Sequence, residues 1–522
     1  MTEQKQYESW SITKQPVASE YGLVASQHFA ASSVGAEVLG RGGNAVDAAV
    51  ATSLSLGAVE PWMSGLGGGG FMLVYLAEQD RTYAIDFGMI APRKLDPVDY
   101  PLAGGNASDL FGWPAVEGDS NLRGFPSVAV PGYVAGISLA VERFGTLPWG
   151  EAIEPAIHLA EEGMIADWYA TLMIGTAAHD LARFPESKRV LLPGGYPPVG
   201  EWGAAPPRIE LGNLGATLRR LREAGPRDFY EGDIAHSLVA DLSAGGNKIT
   251  DDDLIHYVAQ VIPAIKGNYR GAAVHVAPGL SAGPTLLEAL GKLNGYELGG
   301  VPNADTYLAY TEALDAAYTE RFETMGDSND VKAPSCTTHV SAVDRHGNFV
   351  ALTQTLLSLF GSKVMLPGTG ILMNNGIMWF DPRPGRPNSI GAGRRPLSNM
   401  CPAIITHDGH RTAIGASGGR RIMPAVFQLL SFLTDYKMDV GTALAQPRID
   451  VSGTGVVSID SKLAPSIHKK LSERFKVQSS HHGVYPSLFA CPNLVSRPLV
   501  GGTQVGAAFI PSPWAEVASP NL

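Results

Sequence analysis

Apolar residues along this chain recur with two different periods, and the places where the period changes mark the elements. Over residues 30–56 they fall at helical spacing with a break at Gly42-Gly43, so two helices are predicted, the second capped by Asn44. After the run Ser64-Gly65-Leu66-Gly67-Gly68-Gly69-Gly70, the short apolar block Phe71-Met72-Leu73-Val74-Tyr75-Leu76 fits a strand, with residues 83–87 as its hairpin partner. Residues 131–240 return to a mostly helical pattern, broken by Pro- and Gly-rich loops near 193–207, and Asp251-Asp252-Asp253-Leu254 has the form of a capped helix start. Strands are expected over 269–276 and a long helix over 306–324. From 337 to about 417 the pattern is strand-like with polar turns, and helices follow at 424–434 and 464–475. Two separated groups of strands with helices between them predict an α+β fold: sheets packed face to face, helices outside.

Composition narrows the function. With 522 residues, 45% hydrophobic and 17% charged, the chain can bury a large core. Its net charge of −11 is spread without blocks, which argues against a nucleic-acid partner, since phosphate binding needs clustered Lys and Arg. Cys336, Cys401 and Cys491 are too few and scattered for a disulfide framework or a zinc site. The histidines do not cluster at metal spacing except His481-His482, which read as part of a polar turn, and neither metal nor cofactor is expected. The first eight residues are polar with no apolar segment behind them, and no run of about 18 apolar residues could span a bilayer. A cytoplasmic enzyme without a membrane partner is therefore expected, and a homo-oligomer is compatible with the sequence.

One stretch carries candidate chemistry. Asp344-Arg345-His346-Gly347-Asn348 is turn chemistry between two alternating runs, 337–343 and 349–355. With His346 at the centre of the turn, Thr337 pairs with Thr355, which sets two hydroxyls about 4.5–5.5 Å apart at Cβ. Two facing threonines commonly do no more than support a sheet. The sharper reading makes Thr337 a nucleophile that is freed by cleavage of the Cys336–Thr337 bond. Its own amine, with a reference pKa of about 7.7–8.0, then serves as general base. His339 is expected to pack or hydrogen-bond.

The glycine run formally contains Gly-x-Gly-x-x-Gly with Asp86 beyond it, but a helix precedes and a strand follows. That is the reverse of the order a dinucleotide site needs. Close backbone packing or a substrate-facing loop fits better. Ser417-Gly418-Gly419-Arg420-Arg421 follows a strand and precedes a helix, so its backbone N–H groups could face an oxyanion. Arg394-Arg395-Pro396-Leu397-Ser398-Asn399 offers guanidiniums suited to a carboxylate, although such arginines are more often structural.

At these residues the chain resembles the γ-glutamyltransferase (γ-glutamyltranspeptidase) family of N-terminal nucleophile (Ntn) hydrolases. The matching segments include Gly42-Gly43-Asn44-Ala45-Val46-Asp47-Ala48-Ala49-Val50, the glycine loop with Phe71, Pro131-Gly132-Tyr133, Asp228-Phe229-Tyr230-Glu231-Gly232, Tyr269-Arg270-Gly271, Thr337-Thr338-His339, Pro396-Leu397-Ser398 and Gly418-Gly419. The resemblance implies a four-layer αββα sandwich and a precursor cut into residues 1–336 and 337–522, which stay together as one body. It implies Thr337 as nucleophile, Thr355 as the threonine supporting the new amine, Gly418 and Gly419 as the oxyanion pair, and Ser398, with Asn399 beside it, at a substrate-carboxylate contact.

The departures from the family pattern lie in the headgroup site. Where γ-glutamyl-active members have an arginine after Asp-Phe, this chain has Gly88. Where they have an asparagine two residues after the supporting threonine, it has Leu357, and where Gln and Asp follow the Asn-Asn pair, it has Gly376 and Trp379. The expected substrate is thus a small-molecule amide with a small or weakly polar acyl group, as in oxamate amidohydrolase-like or acylase-like relatives. A genuine γ-glutamyltransferase or glutathione hydrolase is the alternative, and a catalytically silent binding protein on the same fold is the second.

Overall fold

The computed structural model describes residues 12–106, 113–325, 336–453, 455–481 and 489–521. Its helices begin where the sequence supplies caps. Asn44 Oδ1 accepts from the N–H groups of Val46 (2.8 Å) and Asp47 (3.0 Å), while Asp47 accepts from Asn44 N–H (2.9 Å), a closed capping box that starts the helix Ala45–Val59. The helix Phe29–Gly40 packs beside it, and Tyr133–Phe144 and Trp149–Glu162 complete a helical layer. Across the molecule, Gly283–Leu293, Ala304–Thr324 and Ile422–Thr434 form the opposite layer.

Between the layers lie two antiparallel sheets, each of seven strands among the described residues. The first runs in the order Val17–Ser19, Gln504–Ala508, Cys491–Pro498, His410–Ser417, Ala403–His407, Ala272–Val276, Ile265–Tyr269. The second runs Glu516–Ala518, Gly22–Ser26, Cys336–Asp344, Phe349–Leu357, Gly69–Leu76, Arg81–Phe87, Gln260–Pro263. Both sheets therefore take strands from either side of residue 336, and the four-layer αββα sandwich is the fold. Side-chain alternation explains the layering. Val340, Ala342, Val350 and Leu352 face the helices, whereas Val343, Phe349 and Ala351 join the apolar core between the sheets. With both faces covered, every residue of Phe349–Leu357 is buried.

Two devices fix the hairpin. Asp344 Oδ1 accepts from the N–H groups of His346 (2.8 Å) and Asn348 (3.0 Å), and its Oδ2 from Ala45 N–H (3.0 Å), so the turn is tied to the helix start. The glycine run supplies close backbone approach: a Cβ on Gly68 would lie 2.4 Å from the Thr355 carbonyl oxygen, and one on Gly70 2.4 Å from that of Thr353.

The structure corrects the sequence reading in three places. Residues 358–402, expected to be strand-like, contain only turns, isolated bridges and the short 3-10 helix Gly376–Trp379. Positive φ at Leu357, Phe360, Gly361 and Lys363 takes the chain out of the sheet there. The segment 269–276 is part of a hairpin, turned at Arg270 and Gly271, both with positive φ. The amino- and carboxy-terminal strands, too short or polar to show a clear period, complete the sheets unannounced. His482 and the first eleven residues lie outside the described residues.

Candidate active site

Thr337 begins the second sheet's hairpin at an irregularity. From Val343 opposite Phe349 back to Thr338 opposite Gln354, the register is the one that the turn dictates. It then slips by one, so that Cys336 pairs with Leu357. Such a bulge re-aims a side chain. The buried Thr337 hydroxyl faces Thr355 Oγ1 at 3.4 Å. Thr355 Oγ1 also accepts from Leu357 N–H at 2.7 Å. Leu357 itself sits at φ 90°, a conformation that costs a leucine about 1–3 kcal/mol and persists only where the surroundings enforce it.

The first sheet covers this hairpin. His339 presses on Gly415, where a Cβ would lie 2.2 Å from the ring, and Asp344 O accepts from Arg497, which pairs with Arg411. The strands Cys336–Asp344 and His410–Ser417 thus run antiparallel across the interface. Thr337, two residues before His339, falls level with the end of His410–Ser417. There the chain turns through Gly418 (φ 130°) and Gly419 (φ 65°), both in the positive-φ region that favours glycine. A Cβ on Gly418 would lie 2.9 Å from Ala490 Cα, so glycine is required.

His339 is held between Thr353 Oγ1 (2.8 Å) and Ser341 Oγ (3.0 Å), and burial pushes its imidazole down to about 3. It is a neutral packing group, as expected, and adds no charge to the site.

The positions at which the chain departs from the family pattern, Gly88, Leu357, Gly376 and Trp379, lie in or against the apolar core between the sheets. Leu357 and Trp379 belong to one cluster with Met89, Ala129, Ile377, Met378 and Met400. Gly376 is wedged in it: a Cβ there would lie 2.7 Å from Ala129 Cβ and 2.9 Å from Met89 Sδ. Gly88 lies next to Met89, and its carbonyl accepts from Tyr257 OH (2.7 Å) and Arg395 Nη1 (2.9 Å). Arg395 also contacts Asp86 Oδ1 at 3.2 Å. Ser398 and Asn399 are buried beside Met400, with Ser398 Oγ accepting from Met400 N–H at 3.2 Å. Arg420 is stacked over Phe322 at 4.7 Å.

Sequence reasoning missed the pairing of Asp86 with Arg395, which are 309 residues apart. It also missed Asn375, which donates to Leu122 O (2.7 Å) and accepts from Ser358 N–H (3.1 Å), pinning the loop behind Leu357. The Asn374-Asn375 pair was the available signal. A cleft of about 270 Å³ lies at the turn end of the hairpin around Asn44, Thr146 and His346. It is seven residues, roughly 23 Å, from Thr337.

The Gamma-glutamyltranspeptidase family is matched over residues 31–336 and 332–486. The chain belongs to this family. It is 34% identical over 504 residues to the Acylase ACY 1 proenzyme of Pseudomonas sp. (strain V22), covering 89% of this chain and 88% of that one. It is 32% identical to the Glutathione hydrolase proenzyme of Pseudomonas sp. (strain A14), covering 95% and 92%. Among solved structures, cephalosporin acylase from Bacillus halodurans shares the fold with a TM-score of 0.85 at 23% identity over the full length of both chains. As a member of this family the chain is an enzyme, an amidohydrolase, acylase or γ-glutamyltransferase at family level, which sets aside the silent binding protein. A precursor processed into two fragments is typical of the family. Among the described residues no helix is long and apolar enough to cross a membrane.

Proposed function

We propose that this protein is a proenzyme that cuts itself between Cys336 and Thr337 and then hydrolyses amides of a small or weakly polar acyl group. One observation carries the reading. The Thr337–Thr355 hydroxyl pair leads directly to Leu357, whose side chain joins Met89, Met378 and Trp379 in an apolar wall instead of presenting a polar group. A γ-glutamyl headgroup placed there would lose charge-assisted bonds worth about 1.5–3 kcal/mol each. The acylase relatives agree with this choice, and glutathione hydrolases match at similar identity.

In maturation, Thr337 Oγ attacks the Cys336 carbonyl carbon, its proton passes to the Thr337 nitrogen, and the C–N bond breaks to leave an ester. Water hydrolyses the ester, giving a carboxylate at Cys336, a free Thr337 amine and a restored hydroxyl. In turnover that amine takes the hydroxyl proton as Oγ attacks the substrate amide, and delivers it to the leaving amine. The Gly418 and Gly419 N–H groups receive the oxyanion, and water releases the acid. Residues 1–336 and 337–522 remain one intertwined body.

A second reading, a γ-glutamyltransferase or glutathione hydrolase, is favoured by Arg395, whose guanidinium reaches the backbone of Gly88 from another part of the chain. Assays of the matured enzyme separate the two readings. Release of p-nitroaniline from acetyl- or phenylacetyl-p-nitroanilide, with little from γ-glutamyl-p-nitroanilide, is expected. Robust turnover of the γ-glutamyl compound would transfer the assignment to the second reading.

A further inference from the structure

The slip in the hairpin leaves Thr337 opposite two residues, Thr355 and Leu356, between the pair Thr338–Gln354 and the pair Cys336–Leu357. Thr355 Oγ1 reaches the Thr337 hydroxyl only while this bulge keeps its shape. Groups that hold the bulge lie on the other face of the sheet, toward the helix Ala45–Val59 and the turn 61–63 that follows it.

Gln354 is the last residue of this strand in the regular register, and it is fully buried. Alternate residues face opposite sides, so its side chain points to the helices while that of Thr355 points to the first sheet. Gln354 Nε2 donates to Ser53 O (3.2 Å) and to Ser64 Oγ (3.0 Å). The Ser53 carbonyl can only accept, which fixes the end of the amide that faces it. Gln354 Oε1 accepts from Ser53 Oγ, which in turn accepts from Tyr133 OH at 2.6 Å. Val350 and Leu352, on the same face of the same strand, are apolar, so packing alone does not call for an amide here. On the far side of the bulge, Leu356 N–H donates to Met63 O (3.0 Å) and Leu356 O accepts from Asn375 N–H (3.2 Å). Met63 and Ser64 are neighbours, so one dipeptide grips both flanks of the bulge. Ser64 does so through the Gln354 side chain, and Met63 through the Leu356 backbone.

We propose that Gln354 is a positioning residue for the reaction: by tying the bulge to Ser53 and Ser64, it holds Thr355 Oγ1 against the Thr337 hydroxyl. No covalent bond is made or broken at Gln354. It acts from the helical face of the sheet by fixing the backbone next to Thr355. The proposal rests on the self-cleavage reading.

The test follows self-cleavage of the full chain, made by cell-free synthesis so that time zero is defined, on denaturing gels. Gln354→Leu, which keeps the bulk and removes the amide, is expected to slow cleavage roughly tenfold or more. Ser64→Ala, which removes one of the bonds to that amide, should slow it roughly threefold or more. Each is then combined with Thr355→Val. If Gln354 acts by placing Thr355 Oγ1, its loss no longer matters once that oxygen is gone, so both double variants should cleave at the rate of Thr355→Val alone. A role confined to holding the fold together would slow the double variants further. If Gln354→Leu does not fold, as read by circular dichroism, Ser64→Ala with and without Thr355→Val decides by the same comparison. Wild-type rates in Gln354→Leu or in Ser64→Ala, or additive slowing in a double variant, would each overturn the proposal alone. A wild-type chain that never splits would overturn both the proposal and the self-cleavage reading.

Discussion

Replacing Thr355 with valine keeps its shape and removes the one oxygen on which the site turns. Thr355 Oγ1 accepts from Leu357 N–H at 2.7 Å and faces Thr337 Oγ1 at 3.4 Å, with all three residues buried. Without it, a buried backbone N–H loses its partner, a cost of about 1–3 kcal/mol. The same bond helps to hold Leu357 at φ 90°, so its loss also frees the chain to relax out of the geometry that faces Thr337. The Thr337 hydroxyl loses its neighbour as well, and about 1.4 kcal/mol in the transition state corresponds to a tenfold slower reaction. Thr355→Val is therefore expected to mature at least about tenfold more slowly than wild type. Thr355→Ser, which keeps the oxygen and gives up a methyl worth about 0.8 kcal/mol, should mature at close to the normal rate. The assay is a gel time course following fragments of 336 and 186 residues. Equal rates for the valine variant and wild type would refute the role given to Thr355.

Three further outcomes are expected. Thr337→Ala should remain a single band indefinitely while keeping the wild-type circular dichroism spectrum; fragments from that variant would remove Thr337 as the nucleophile. Gly418→Ala forces a Cβ onto a residue at φ 130° and to 2.9 Å from Ala490 Cα, so kcat in steady-state assays should fall by roughly 10²-fold or more as the oxyanion donor moves; unchanged kcat would argue against this oxyanion site. The His339 imidazole is held down to about 3 in the fold against 6.5 ordinarily, so the unfolded chain takes up a proton first as the pH falls. Stability is therefore full above about 6.5 and lost below it, by about 2 kcal/mol at pH 5 through this residue. His339→Asn should reduce the pH 7-to-5 loss in denaturation experiments by that amount, and an identical loss in the variant would exclude a neutral His339.

How much of this was legible in the sequence varied with the range of the interaction. The Asn44 cap, the turn at Asp344 and the hairpin register were readable because each is set by residues within a few positions of one another. Register carried Thr337 to Thr355 across eighteen positions, because a strand's period of two leaves little freedom once the turn is placed. The bulge was not readable, since nothing in Cys336-Thr337-Thr338 announces a slipped pairing. The segment 358–402 was misread because its apolar residues are buried by contacts with distant parts of the chain, not by a strand period of their own. Its positive-φ residues Leu357, Phe360 and Lys363 carry no glycine-like signal.

By itself, the sequence determined the hairpin that begins at Thr337, the glycine turn at Gly418-Gly419 and the division into two groups of strands flanked by helices. Each follows from local periodicity and turn chemistry. Only the tertiary structure decided what surrounds Thr337: that Leu357 joins Met89 and Trp379, and that Arg395 reaches Gly88. Those neighbours come from segments tens to hundreds of residues apart. They are set by how two sheets and two helical layers close on one another, and no local period along the chain encodes that closure.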